Sequence, residues 1–254
     1  MKRCGFTLIE LLVVVAIIAL LLAILLPSLN RARQTARMTN CLANVRNMEL
    51  AHQVYMTEYN GWMVDVGYSH GASAGLDEQD SFVKTLEEEY GQPLLRKSPV
   101  DDSPHWPSEL GGQGVPVPGK APDEYQFRIT SYGINNLLTR SATVFDVTTG
   151  RNLDYSRIDR IPRPAVTVHF VFMAKEGAFA GADHTHIEGW EAATPQLTPS
   201  IASGEVQLDA HGGPPRSYES VAPYSFLDGR AAALRFEELW TTRQENNFWP
   251  DVAQ

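Results

Sequence analysis

Lys2-Arg3-Cys4-Gly5-Phe6-Thr7-Leu8-Ile9-Glu10 runs directly into Leu11 to Leu26, where every residue is Leu, Val, Ala or Ile. Counted from Phe6 the apolar segment holds about 21 residues, and at ~1.5 Å per residue it spans about 31 Å, the thickness of one bilayer core. A cleaved secretory signal would be cut at small residues after such a run. Here Pro27, Ser28, Leu29, Asn30 and then arginines follow, so the apolar helix is expected to stay with the protein as a membrane span. Glu10 stands inside that span. A carboxylate there costs about 2.5–3.5 kcal/mol near the centre and less near an end, so Glu10 must reach the headgroups, meet the helix N-terminus or find a positive partner. Pro27 lacks a backbone N–H, and a kink or local unwinding is expected at it.

Beyond Pro27, Met38, Cys41, Val45, Met48, His52, Tyr55 and Tyr59 recur at spacings of three and four, one helical stripe. A histidine and two tyrosines on the stripe suit docking on a sheet better than a coiled-coil seam. His52 and Cys41 therefore read as packed side chains and not as ligands. Asn60-Gly61 supplies the helix stop. A continuous helix from Phe6 to Tyr59 would be about 80 Å long, half anchor and half spine of a head.

The chain has 254 residues, room for one ordinary domain plus an anchor. Its formal charge is −9, and without Lys2 and Arg3 it would hold 19 basic against 30 acidic residues. That sign argues against nucleic acid as a partner. Arg31, Arg33 and Arg37 follow the span, with no acidic residue between Glu10 and Glu49, and suit a position near anionic lipid headgroups. The two cysteines, Cys4 and Cys41, do not discriminate between compartments.

After residue 60 a short helix is expected over Ser81 to Tyr90 with Asp80 as its cap, and Gly91 to Pro122, dense in Pro and Gly, reads as a long surface loop. Strand-like runs follow at Gln126 to Tyr132, Ala165 to Met173, Val206 to Ala210, Tyr224 to Leu227 and Ala231 to Phe236. Asp228-Gly229 predicts a hairpin between the last two. One long helix followed by mostly antiparallel strands makes an α+β fold.

The segment from Lys2 to Glu10 resembles the class III signal of type IV prepilins and type II secretion pseudopilins. The resemblance implies a leader over 1–5, a transmembrane and stalk helix over 6–59 and an extracytoplasmic α+β head with an antiparallel sheet over 60–254. It implies cleavage between Gly5 and Phe6 by a prepilin peptidase, which also methylates the Phe6 amine. Glu10 would pair with that amine in an adjoining subunit, and Pro27 would shape the assembly helix. The implied partners are the peptidase, other pilin or pseudopilin subunits, the inner-membrane assembly platform and membrane lipid, with the N-terminus cytoplasmic and the head periplasmic or extracellular. Leu94 to Pro107, Ser131 to Asn135, Pro164 to Phe172, His211-Gly212-Gly213 and Phe226 to Gly229 look like landmarks of a prepilin-type group abundant in planctomycetes. This sequence departs from that group at Ser98-Pro99, where relatives often have Cys-Pro, and in the wider separation of His211 from Asp228-Gly229.

For chemistry in the head, Asp183, His184, His186 and Glu188 are the metal candidates, with Asp209 and His211 as further members; two histidines one residue apart share a face on a strand. Flanking Gly181 and Gly189 make a polar loop the plainer reading. The resemblance adds Ca²⁺ as an ion, since major pseudopilins hold one in a C-terminal loop, although no EF-hand spacing is present. No nucleophile motif or phosphate loop occurs, so no catalytic residue is expected. Trp62, Trp106, Trp190, Trp240 and Trp249 fit either core packing or a surface for sugars or proteins. Two functions follow: a filament subunit, or a membrane-tethered ligand-binding or hydrolytic protein that uses the N-terminal segment only as an anchor.

Overall fold

The computed structural model describes residues 8–66, 81–114, 127–142, 144–146, 150–190 and 194–254. Its first element is α1, Leu8–Glu58. The chain divides into two compact units inside this helix, Met1–Thr39 and Asn40–Gln254.

In the first unit every described residue through Arg37 is exposed. An 18-residue window of α1 reaches a mean hydropathy of 3.3 with none of it buried, so this helix is long and apolar enough to cross a membrane. A helix apolar on all sides needs an apolar solvent. The hydroxyls along it satisfy themselves within the helix: Ser28 donates to the Leu25 carbonyl (2.8 Å) and Thr35 to the Arg31 carbonyl (3.1 Å). The unwinding expected at Pro27 does not occur, because α1 continues through it. One absent N–H removes a single rung, and the intact turns on both sides hold the dihedrals.

In the second unit α1 buries Cys41, Asn44, Val45, Met48, Glu49, Ala51, His52, Tyr55 and Met56. The stripe read from the sequence is thus present but wider, and Tyr59 at its end is exposed. Asn60 (φ 54°) and Gly61 (φ 81°) turn the chain left-handed, and the Gly61 N–H closes on the Met56 carbonyl at 2.7 Å. The next helix is α2, Phe82–Tyr90, which buries Phe82, Val83 and Leu86. Ser81 is its cap, accepting from the Val83 N–H at 3.2 Å, while Asp80 lies outside the described residues. Ser81→Ala is expected to cost about 1 kcal/mol, read as a lower midpoint when detergent-extracted protein is unfolded by denaturant under tryptophan fluorescence.

The strands are shorter than the sequence suggests. Two of them, β1 (Tyr132–Ile134) and β2 (Val144–Asp146), precede β3 (Arg151–Leu153) and β4 (Phe170–Phe172). After α3 (Thr198–Ala202) come β5 (Val221–Ser225), β6 (Ala231–Arg235), β7 (Trp240–Thr242) and β8 (Glu245–Asn246). They form four antiparallel pairs, β1–β4, β2–β3, β5–β6 and β7–β8, in place of the single sheet expected. The described fold is therefore α+β, a long helix followed by a small antiparallel region.

The β1–β4 pair is the middle layer. Tyr132, Ile134, Phe170 and Phe172 pack on Val45, Met48, Ala51 and Tyr55 of α1 and on α2. Val171 and Met173 face a second cluster with Trp190, Tyr224, Phe236, Trp240, Phe248 and Trp249. Alternation sends the two faces of β4 into two different cores, which explains why its sequence is an unbroken apolar run. Gly133 is closely packed: a Cβ there would come within 2.3 Å of the Met173 sulfur and 3.1 Å of the Asp183 carbonyl carbon, so a larger residue would force Met173 to move.

Three other expectations change. Val206 to Ala210 makes one bridge, Met173 to Val206, and then turns. The segment after residue 91 is no surface loop over its described part: Leu94, Ser98, Asp101, Ser103, His105 and Trp106 are buried. Its backbone finds partners in residues 128–131, with Arg128 N–H on the His105 carbonyl (2.8 Å) and Ser131 N–H on the Arg96 carbonyl (2.8 Å). Residues 115–126 lie outside the described set. The β5–β6 hairpin turns through three residues, Leu227, Asp228 and Gly229, instead of two. Phe226 N–H bonds the Arg230 carbonyl, Gly229 (φ 91°) N–H bonds Phe226, and Arg230 N–H bonds Asp228 Oδ1, each at 2.9 Å.

Candidate functional site

Gly5 and Phe6 lie outside the described residues. Glu10 stands in the first turn of α1, exposed, and Pro27 lies farther along the same apolar face-less stretch. In this position the carboxylate is near the positive end of the helix dipole, which favours its charged form.

In the second unit, Asp183 to Glu188 is not the free loop its glycines suggested. Its chain runs beside β1: Ile134 N–H bonds the Asp183 carbonyl (2.9 Å) and Thr185 N–H returns to the Ile134 carbonyl (3.0 Å). The four candidates fall into two carboxylate–imidazole couples, Asp183 Oδ1 with His184 Nδ1 (2.8 Å) and Glu188 Oε1 with His186 Nδ1 (3.0 Å). The two imidazole rings are 5.2 Å apart. The Glu188 hydrogen bond raises the His186 pKa; burial pushes Glu188 upward, but His186 and the Asn136 amide at 2.6 Å outweigh it and hold Glu188 low. His184, His186 and Glu188 line a cavity of about 330 Å³ with Asn136, Thr139 and Ser141. Both hydroxyls there give their protons elsewhere, Ser141 to Asp65 (2.6 Å) and Thr139 to the Asn136 carbonyl (3.2 Å), so neither is set up as a nucleophile against a histidine. Asp209 lines a different cavity, with Lys175 and Gln207. For His211, burial lowers the imidazole pKa and the backbone N–H bonds Val221 (2.9 Å).

Three buried polar groups contain partners that the sequence did not signal. Glu205 accepts the His186 N–H at 2.7 Å. Arg128 and Asp101 form an ion pair at 2.6 Å with both side chains fully buried. The third is Glu49 with His52 and His169, all 0% exposed. Glu49 Oε2 meets His169 Nδ1 at 2.8 Å and accepts from Ser225 Oγ at 2.9 Å, while Glu49 Oε1 lies 3.6 Å from His52 Nδ1. His52 Nε2 accepts the Val64 N–H at 3.3 Å. Burial raises the Glu49 pKa, yet the adjoining His169 ring and its hydrogen bond bring it well below the usual range; burial and His169 together lower that of His52. His52 is thus packed, as its place on the stripe predicts, but packed against a charge. Its period in α1 was visible; its partner at 169 was not.

Four of the five tryptophans, Trp106, Trp190, Trp240 and Trp249, are core residues. Trp62 is partly exposed, with the guanidinium groups of Arg140, Arg157 and Arg160 at 5.0, 5.6 and 5.8 Å from its ring.

Residues 1–26 match a family model described as the prokaryotic N-terminal methylation motif. The match takes in Gly5, Phe6, Glu10 and the whole run from Leu11 to Leu26, and nothing of the unit beginning at Asn40. No curated protein and no solved structure matches the chain.

Proposed function

We propose that this chain is a pilin-like or pseudopilin subunit, cleaved between Gly5 and Phe6, methylated on Phe6 and assembled through α1 into a type II secretion pseudopilus or type IV pilus-like filament. The observation that carries this reading is continuity. The methylation motif over residues 1–26 opens a helix whose first part is apolar and exposed and whose later part is built into a folded head. An anchor alone has no use for a carboxylate at residue 10, whereas a subunit packed beside others in hydrocarbon can match Glu10 to the neighbouring Phe6 amine.

In this reading the leader is cytoplasmic and the head lies in the periplasm or outside the cell. The partners are the prepilin peptidase, other subunits, the assembly platform and lipid, and the chain is a structural subunit, not an enzyme. The resemblance of the segments from Leu94 to Gly229 to a planctomycete-rich prepilin-type group is part of the same proposal and rests on the sequence alone.

Mass spectrometry of membrane-extracted protein is expected to find N-methylated Phe6 as the first residue. An intact Met1 terminus in cells that have the peptidase overturns the processing. Assembly is read separately: Glu10→Leu should still be processed and membrane-inserted, while cross-linked oligomers fall at least about tenfold, the equivalent of about 1.4 kcal/mol of subunit pairing. Unchanged oligomers in that variant overturn the assembly role of Glu10.

A further inference from the structure

We infer that Glu49, His52 and His169 form a site for one first-row transition-metal ion, with Zn²⁺ the best match to the donors. One ligand atom from each residue lies within 4.8 Å of the other two, and all three side chains are 0% exposed. Glu49 and His52 stand one turn apart on α1, and His169 comes from the residue before β4. The site therefore depends on docking of the helix on the strand pair.

Charge balance is the first argument. Burying a carboxylate without a positive partner costs several kcal/mol or more. Among the described residues the groups around Glu49 are two imidazoles and the Ser225 hydroxyl, with no Lys or Arg ion pair to it. Neutral imidazole and hydroxyl donors leave the charge of Glu49 uncompensated, whereas a bound cation balances it while both rings stay neutral.

Geometry favours the cation. Glu49 Oε1 and His52 Nδ1 are both buried without a hydrogen bond, 3.6 Å apart. Two ligands at about 2.0–2.1 Å from a tetrahedral ion stand about 3.4 Å apart, so that gap has the width of an ion's coordination edge. Two nitrogens and one carboxylate oxygen are a Zn²⁺ donor set, and Ca²⁺, which takes oxygen, is disfavoured. Support from outside the ligands is already in place. Ser225 Oγ donates to Glu49 Oε2 and accepts the Phe170 N–H at 3.0 Å, which fixes the carboxylate plane.

Coordination requires an unprotonated nitrogen on each ring, Nδ1 on His52 and one of the two nitrogens of His169, whose Nε2 is also buried without a hydrogen bond. The 2.8 Å contact of His169 Nδ1 with Glu49 Oε2 is too short to hold an ion between the two atoms, so coordination by that nitrogen opens the contact. On His52 the proton moves to Nε2, which ends the long contact accepted from Val64. A site with no exposed wall fills while the chain folds, so loading belongs in a refolding experiment.

The full chain, extracted in detergent, unfolded in guanidinium with a chelator and refolded with Zn²⁺, is expected to retain about one equivalent after gel filtration and to melt higher than protein refolded without metal. X-ray absorption on the wild type should give nitrogen and oxygen neighbours at about 2.0–2.1 Å with two imidazoles, a measurement that does not depend on any variant folding. His52→Gln and His169→Gln should each lose the ion, and His184→Gln with His186→Gln should keep it. Retention below a tenth of an equivalent in the wild type, or loss of the ion only in the His184/His186 variant, overturns the assignment.

Discussion

Arg128→Met is expected to destabilise the compact unit by about 3–5 kcal/mol, the cost of leaving one partner of a buried ion pair behind. Arg128 is fully buried, and each part of its guanidinium is used: Nε on Asp101 (2.6 Å), Nη1 on the carbonyls of Ala174 (2.6 Å) and Ala180 (2.7 Å), Nη2 on that of Met173 (3.0 Å). Asp101 in turn accepts from Ser131 Oγ (2.5 Å) and the Ser103 N–H (3.1 Å). One side chain thus joins the segment after α2, the approach to β1 and the end of β4. Methionine fills most of the volume and supplies none of the donors, so Asp101 keeps its charge in the core with hydroxyl and amide partners only. Adding Asp101→Asn removes that charge, and the double variant should recover part of the loss, since adjoining partners are not additive. Denaturant unfolding followed by tryptophan fluorescence reads this directly, because all five tryptophans lie beyond Asn40. A single variant within about 1 kcal/mol of wild type would show that the pair contributes little.

Stability should fall as pH rises from about 5 to about 8, by up to about 3 kcal/mol, and Glu205→Gln should remove most of that slope. Burial pushes Glu205 up to about 7, against the His186 N–H and ring that favour its ionised form. A carboxyl with a folded pKa of about 7 and an unfolded value of 4.5 keeps its proton in the folded state between those two pH values and has lost it in the unfolded state. The folded state is therefore favoured at the acid end, loses ground as pH rises through 7, and is level above it. His186, raised by Glu188, acts in the same direction, since its protonated form is also favoured by folding. Glutamine can still accept the His186 N–H and carries no proton to lose. Thermal midpoints at pH 5, 6, 7 and 8 for both proteins make the comparison; parallel profiles would locate the slope elsewhere.

The parts legible in the sequence are those set by neighbours along the chain. Lys2 to Glu10 and the apolar run to Leu26 carry their meaning in order and spacing, and residues 1–26 match the methylation motif. The stripe through Cys41, Val45, Met48, His52 and Tyr55 follows from the helical period, and the stop at Asn60-Gly61 from backbone sterics. Strands were harder. At three residues each, β1 and β4 are shorter than a pattern needs to declare itself, and burial on both faces removes the alternation that would mark them.

By itself, then, the sequence determined the long apolar start of α1, the length of that helix and which side of it packs, because hydropathy, helical period and φ/ψ sterics act between residues a few positions apart. Only the tertiary structure decided what that side meets. Glu49 is partnered by His169 across 120 positions and by Ser225 across 176, and Arg128 reaches carbonyls 45 to 52 residues away. A charge enters a core only where distant groups converge to replace its water, and that convergence exists once the chain is folded.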